Sequence, residues 1–258
     1  MSKDSTINLG KEMLNKVPGI TLYFWIIKIL CTTIGETAAD FLNGKFNLGL
    51  TGTTIVMGVL LIVSLFFQFK TDKYVPVIYW IAVVLISVVG TLITDNLTDN
   101  LGVPLVDTAI VFSIVLGIVF VIWYRYEKTL SIHKINSTRR EAFYWLAILF
   151  TFALGTASGD LMAESLQLGY WLSGIIFLAM IAIVFMSYKY FNLNSILAFW
   201  IAYILTRPLG ASIGDFLSQA KKDGGLGFGT AITTGIFLAA IIFTVIYLSV
   251  TKKDVIKN

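Results

Sequence analysis

Eight long apolar runs constrain this chain more than any other feature of its sequence. They lie at about residues 20–42, 48–69, 75–98, 104–125, 142–166, 169–190, 195–219 and 226–250. A bilayer core about 30 Å thick is crossed by about 20 apolar residues in an α-helix. The runs are continuous rather than alternating, which excludes a membrane β-barrel. The pattern therefore predicts an all-α membrane protein with eight transmembrane helices.

The composition supports the same class. Hydrophobic residues make up 57% of the 258 residues and charged residues only 13%, whereas soluble domains carry about 25% charged residues. The single cysteine, Cys31, excludes an intrachain disulfide. Basic residues flank the apolar runs, as orientation signals do, so the net charge of +4 predicts no nucleic-acid partner.

Lysine and arginine residues predict the orientation of the chain in its membrane. Most of those outside the apolar runs fall on one side, and only Lys45, Lys221 and Lys222 fall on the other. The positive-inside rule then places both termini in the cytoplasm. The predicted organisation is a cytoplasmic extension at residues 1–19, one transmembrane domain at 20–250 that contacts membrane lipid, and a cytoplasmic tail at 251–258.

A fourfold internal repeat runs through the apolar part of the chain. In each copy a tryptophan follows another aromatic residue, a glycine lies ten residues after the tryptophan, and an aspartate lies five residues after the glycine. The tryptophans are Trp25, Trp80, Trp145 and Trp200, the glycines Gly35, Gly90, Gly155 and Gly210, and the aspartates Asp40, Asp95, Asp160 and Asp215. The shared spacing identifies one structural unit in four copies.

Each repeat contains two apolar runs, so all four copies cross the membrane in the same sense. The repeats cover about residues 20–73, 75–128, 140–190 and 195–250. Parallel repeats are related by an axis along the membrane normal. The sequence therefore predicts a pseudo-symmetric bundle, either fourfold or made of two paired halves. Because the connections are short, successive helices are expected to be antiparallel neighbours.

The glycines and tryptophans are interpreted as structural residues. The residue before each motif aspartate is also small, and in two copies it is a further glycine, Gly159 or Gly214. A glycine followed four residues later by a small residue lets two membrane helices approach closely, so these glycines are expected to pack helices together. The tryptophans are expected to anchor the helices at the cytoplasmic interface.

The acids of the odd-numbered helices point to function. At a rise of 1.5 Å per residue, each motif aspartate lies about 22 Å from its tryptophan, inside a core about 30 Å thick. An ionised carboxylate there costs about 2.5–3.5 kcal/mol. The acids predicted to bind a cation are Glu36, Asp40, Asp95, Asp99, Asp160, Glu164 and Asp215. The alternative is that the aspartates are solvated helix stops at the outer interface.

Two basic residues lie inside the predicted helices. Lys28 follows Trp25 by three residues and is expected to extend its side chain to the interface. Arg207 is deeper and directly precedes Pro208, which should kink the helix. A buried arginine needs an anionic partner, and the motif acids are the abundant candidates. Arg207 is therefore either part of a structural ion pair or a displaceable counter-ion that gates the path.

Three segments carry a resemblance to a known group of proteins. "TTIGETAADFL", "GTASGDLMAE" and "TRPLGASIGDFLS" resemble bacterial integral membrane proteins built from a tandem repeat of unknown function, often labelled uncharacterised membrane-anchored proteins. The resemblance implies a helical bundle in the bacterial inner membrane and brings no substrate. The Gly-Asp pairs are also similar in chemistry to the Glu-x-Gly-Asp motif of a manganese and calcium exporter family, although Ala157 and Ser212 replace the glutamate.

The residue types favour a cation transporter. Carboxylates and hydroxyls are hard oxygen ligands, so a divalent cation such as Mn, Mg or Ca is the expected substrate and bound ion, and coupling to protons is compatible. Zinc is less supported, because His133 is the only histidine. The alternatives are a channel with an acidic ring, a non-transporting scaffold and a lipid-acting membrane enzyme. The sequence leaves the ion, its direction and the oligomeric state open.

Overall fold

Eight α-helices make up the computed structural model, which describes residues 15–46 and 48–255. They are Leu22–Phe46 (α1), Gly49–Lys70 (α2), Pro76–Asp95 (α3), Leu105–Glu127 (α4), Thr138–Asp160 (α5), Gly169–Tyr190 (α6), Ser195–Ser218 (α7) and Thr230–Thr251 (α8). The described part contains no strand, and all eight helices are long and apolar enough to cross a membrane. The predicted all-α fold is confirmed. Residues 1–14 of the predicted extension and 256–258 of the tail lie outside the described residues.

The four odd-numbered helices form a closed ring at the centre of the bundle. Helix α1 packs on α3, α3 on α5, α5 on α7, and α7 on α1. Between 61% and 67% of the most apolar window of each odd helix is buried, against 11% to 22% for the even helices. Of the two predicted arrangements, the structure therefore has the pseudo-fourfold one, with the even helices outside.

Each even helix covers the first helix of the following repeat. Helix α2 packs on α3, α4 on α5, α6 on α7, and α8 returns to pack on α1. Among the described residues, the two helices of any one repeat make little contact. The expectation that all successive helices are neighbours is thus wrong within the repeats, because short connections constrain the distance between helix ends and not the direction in which a helix leans.

The repeat glycines lie where neighbouring odd helices touch. A side chain at any of these glycines would collide with a residue of the next odd helix in the ring. That residue always lies three positions before the motif glycine of its own helix. The distances from an added Cβ to the Cβ of that neighbour are 2.8 Å for Gly35 and Ser87, 2.7 Å for Gly90 and Phe152, 2.5 Å for Gly155 and Arg207, and 2.5 Å for Gly210 and Thr32. The same close contact is therefore made four times around the ring.

The second glycines are less constrained than the first. An added Cβ at Gly214 would lie 3.2 Å from the carbonyl oxygen of Thr33, which is tight, whereas one at Gly159 would lie 3.5 Å from Ala211, an ordinary contact. The closest approach of the odd helices is thus at the first glycine of each motif, in the middle of the membrane-spanning length.

Gly90→Ala is expected to destabilise the protein by about 1–3 kcal/mol, because the new methyl group overpacks the contact between α3 and α5. Gly117→Ala is the matched control, since nothing lies within 4 Å of a Cβ built there on α4. Thermal unfolding of both variants in the same detergent measures the difference. Equal melting temperatures for Gly90→Ala and the parent would show that the ring contact is not close.

The tryptophans lie at one end of the bundle, which we call the inner end; the opposite end is the outer end. Most of them are buried between helices. Trp80, Trp145 and Trp200 are only 2–3% exposed, and Trp25 is half-buried. The indole nitrogens of Trp80 and Trp200 donate to Tyr74 Oη (3.1 Å) and to the Leu130 carbonyl (2.9 Å). The predicted role as interfacial anchors is therefore wrong for these three, because protein groups replace the headgroups and water that an anchor contacts.

The segment before α1 packs against α2, α5 and the loop before α5 at the inner end. Lys16 Nζ donates to Glu141 Oε2 at 2.7 Å, and both side chains are fully buried. Gln68 donates to the other carboxylate oxygen at 2.9 Å. Asn15 Oδ1 accepts from the backbone N–H of Ile135 at 3.1 Å. Hydrogen-bonded polar groups thus connect the start of the described chain to α2, α5 and the loop before α5.

Candidate functional site

Arg207 lies at the centre of the ring, on the pseudo-fourfold axis, and is fully buried. Its Nη2 donates to Glu36 Oε2 at 2.8 Å, to Thr156 Oγ1 at 2.7 Å and to Thr91 Oγ1. These three acceptors are equivalent by the repeat, since each directly follows the motif glycine of its own helix. One arginine from α7 is therefore bonded across the axis to α1, α3 and α5.

The four motif aspartates form the next layer toward the outer end. Asp40, Asp95 and Asp160 each lie four residues beyond the residue of their own helix that Arg207 bonds, which is about 6 Å along a helix. Asp215 is the equivalent residue of α7. All four also lie within electrostatic range of Glu36. Asp215 is buried, with 7% of its surface exposed, and the other three aspartates are partly buried. The four motif aspartates thus converge on one central region of the ring.

Glu36, Asp160 and Asp215 form the tightest group of acids, which we call the carboxylate cluster. One carboxylate oxygen from each residue lies within 4.8 Å of the other two. Ligands about 2.0–2.6 Å from one hard cation are separated by distances of this size. Arg207 is bonded to Glu36 alone among the three. The cluster thus holds more carboxylates than the neighbouring guanidinium can balance.

The remaining predicted ligands lie outside the carboxylate cluster. Asp40 Oδ2 accepts from Gln219 Nε2 at 3.3 Å. Asp99 and Glu164 are exposed, and Glu164 accepts from the Tyr170 hydroxyl at 3.4 Å. Asp95 is close enough to Glu36, Asp40 and Asp99 for their charges to interact, but it does not belong to the carboxylate cluster. These four acids therefore lie around and outward of the cluster.

Two π-helical turns follow motif aspartates directly. They cover Asn96–Asn100 after Asp95 and Leu161–Ser165 after Asp160, and they contain Asp99 and Glu164. In a regular α-helix, Asp99 and Glu164 would lie on the same face as the aspartates four residues before them. A π-turn is wider and moves them off that face, and such turns are frequent at functional sites.

The acids are arranged by depth. Asp99 and Glu164 are exposed at the outer end, Asp95 and Asp160 are partly buried one turn further in, and Glu36 is buried beside Arg207. On the inner side of Arg207, the ring helices carry no carboxylate until Glu141, at the inner end. Carboxylates are therefore present at successive depths from the outer end to the middle of the ring, where Glu36 meets the guanidinium.

Lys28 corrects a further prediction. It was expected to extend to the interface, but it is 1% exposed and its Nζ lies 4.1 Å from the ring centroid of Phe152 and 4.0 Å from that of Tyr203. The signal that could have located it is helical spacing, since Lys28 and Glu36 are eight residues apart on one face. That face points to the axis, where Glu36 meets Arg207.

Comparison with known families agrees with the repeat found in the sequence. A family model described as Repeat of Unknown Function (DUF347) matches the chain four times, at residues 23–74, 78–129, 143–192 and 198–254. Each match covers most of one odd helix, the whole of the even helix after it and one Trp-Gly-Asp motif. Searches of curated proteins and of solved structures gave no significant match.

Proposed function

The chain belongs to the family built from the DUF347 repeat, and from this premise we propose that it transports a cation, most favourably a divalent metal such as Mn, Mg or Ca, across a membrane. Its eight apolar helices make it a multi-pass membrane protein. In this proposal the membrane is the bacterial inner membrane, the inner end faces the cytoplasm, and residues 20–250 act as one domain. The expected partners are the cation and membrane lipid.

The carboxylate cluster is the observation that carries this proposal. Three carboxylates with oxygens within 4.8 Å of one another repel each other strongly when ionised. A bound divalent cation removes that repulsion and gains three oxygen ligands of the kind it prefers. Thr91 and Thr156 add hydroxyls at the same depth, so the site is rich in hard oxygen donors. The group of three contains only carboxylates, and Cys31 lies five residues before Glu36, toward the inner end of α1.

Arg207 competes with the cation for Glu36 and so favours release of the cation. Without a metal, its guanidinium pairs with Glu36 at 2.8 Å and balances part of the cluster's charge. A metal that binds Glu36, Asp160 and Asp215 competes for the same carboxylate. The two cations therefore exclude each other at Glu36, and this competition keeps metal binding weak enough for release, as transport requires.

The same geometry favours a carrier over the other candidates. A channel needs a continuous path along its axis, whereas Arg207 is bonded across the axis to three helices. A scaffold would account for the glycine contacts but leaves the buried acids without a role. A lipid-acting enzyme needs a nucleophile or general base near the headgroups, and the carboxylate cluster lies deep inside the ring.

The proposal is tested by a flux screen in proteoliposomes. Purified protein is reconstituted, and uptake of Mn²⁺, Mg²⁺ and Ca²⁺ is followed against Na⁺ and K⁺ and against empty vesicles. We expect saturable flux of at least one divalent cation, together with thermal stabilisation of the detergent-solubilised protein by the same ion. Flux no faster than in empty vesicles for every ion, with no stabilisation, would contradict the proposal.

A further inference from the structure

Lys28 is a buried basic group that the carboxylate cluster does not use. It lies two helical turns inward of Glu36 on α1, and its Nζ has no hydrogen-bond partner. The aromatic faces of Phe152 and Tyr203 contact it on two sides. An ammonium group held this way is stabilised by the rings but lacks the acceptors that normally satisfy it. Its charge is therefore sensitive to any other charge that approaches along the axis.

The charged and titratable neighbours of Lys28 come from few elements. Helix α7 contributes Arg207 and Tyr203, and α1 itself contributes Cys31. Helix α5 presents only the ring of Phe152 at this depth. Helix α8 has no charged residue, and the only charged residue of α3 is Asp95, in the outer layer. The nearest charge to Lys28 is thus the guanidinium of Arg207, a like charge.

Four tyrosines, Tyr203, Tyr144, Tyr79 and Tyr74, are buried between Lys28 and the inner end. Tyr203 is fully buried, its hydroxyl has no hydrogen-bond partner, and it lies in electrostatic range of Tyr144. The hydroxyls of Tyr144 and Tyr79 share a hydrogen bond of 2.5 Å. The rings of Tyr79 and Tyr74 are 5.6 Å apart between centroids. Among these tyrosines, only Tyr144 and Tyr79 share a hydrogen bond in the described part of the chain.

The Tyr74 hydroxyl meets a carboxyl group near the chain's C-terminal end. Tyr74 Oη donates to Asp254 Oδ2 at 2.5 Å. Asp254 lies beyond the last residue of α8, and burial raises the pKa of its carboxyl above the usual range. A carboxyl group of that kind exchanges protons closer to neutral pH than a solvated one. A buried amine in the middle of the ring and a buried carboxyl group at the inner end therefore lie on either side of these tyrosines.

We propose that Lys28 is the proton-binding residue that couples cation transport to proton movement, and that its proton is exchanged toward the inner end. This inference rests on the proposed function. When a metal takes Glu36 from Arg207, the guanidinium loses its counter-ion and its charge acts on Lys28. The Lys28 ammonium then releases one proton toward the inner end, and a neutral amine remains. Return of Arg207 to Glu36 allows the amine to bind a proton again.

The test compares Lys28→Gln and Lys28→Arg with Lys189→Gln. Lys189 is the matched control because it is exposed, lies at the inner end of α6 and has its Nζ 5.3 Å from the Tyr190 ring centroid. In proteoliposomes, Mn²⁺ flux and internal pH are recorded together, and Mn²⁺ binding is measured on solubilised protein. We expect Lys28→Gln to bind Mn²⁺ within about threefold of the parent while proton movement per Mn²⁺ falls at least about tenfold.

Lys28→Arg separates proton binding from structural charge. Arginine keeps the positive charge and the contact with the rings but does not deprotonate in proteins, so it should lose proton movement as glutamine does. Proton movement equal to the parent's in either variant would overturn the inference. Mn²⁺ flux in the parent without proton movement would also overturn it and leave the proposed function standing. No Mn²⁺ binding or flux in the parent would instead refute the proposed function for this ion, and the inference with it.

Discussion

Asp160→Asn and Asp215→Asn are each expected to lower cation affinity and flux by at least about 100-fold. Even outer-shell partners of a metal ion change its affinity about 10–100-fold, and these two residues are placed as direct ligands. Asparagine keeps the shape of the side chain but removes a charge that a divalent cation requires. Flux in proteoliposomes and ion-dependent thermal stabilisation of well-folded protein at matched concentration measure the loss.

Asp107→Asn is the matched control for these two substitutions. Asp107 is an exposed acid in the first turn of α4, outside the ring, and its neutralisation should leave flux within about twofold of the parent. Glu36→Gln should behave like the two aspartate variants, because Glu36 completes the cluster. If both asparagine variants transport and bind like the parent, the motif aspartates are helix stops and the site assignment is wrong.

Arg207→Gln is expected to strengthen cation binding and slow its release. A hydrogen bond to a charged group contributes about 1.5–3 kcal/mol, so removing the competing guanidinium from Glu36 should lower the Kd for the metal about 10–100-fold. Turnover should fall together with the Kd, since nothing then displaces the bound ion. Equilibrium binding and steady-state flux, measured on the same preparation, give the two quantities separately.

The stability of Arg207→Gln provides a second readout that does not depend on flux. Removing one partner of a buried ion pair costs about 3–5 kcal/mol, so the metal-free variant should melt well below the parent. Addition of metal should restore more stability than it adds to the parent. Arg139→Gln is the control, because that arginine is 64% exposed in its pair with Glu127. A weaker metal affinity in Arg207→Gln would contradict the counter-ion role.

The repeat made much of the architecture predictable from the sequence. Identical spacing in four copies implies that equivalent residues have equivalent surroundings. The place of Gly90 at a contact between ring helices and the proximity of Asp160 to Asp215 both follow from this symmetry. The burial of Trp80 and Lys28 could not be predicted in this way. Hydropathy locates a residue along the membrane normal, but it does not say whether a side chain near a helix end faces headgroups or another helix.

The composition of the carboxylate cluster was also only partly predictable. Glu36 has no acidic equivalent in the other three copies, so the repeat does not identify it as part of the site. It is nevertheless the acid that Arg207 bonds. Glu164 looked equivalent to a ligand because it follows Asp160 by four residues. The π-turn that removes it from the cluster depends on local packing, for which the sequence shows no periodic signal.

The single arginine on the axis has a consequence for the number of charges that a ring of this kind can hold. Four identical subunits around a true fourfold axis would each contribute the same side chain, so a central cation would occur four times or not at all. Joining the copies in one chain removes that restriction. One copy can then provide the guanidinium while three others provide a carboxylate and two hydroxyls at the equivalent position. Covalent fusion thus permits an odd charge at the centre of a near-symmetric ring, where a homotetramer would be limited to multiples of four.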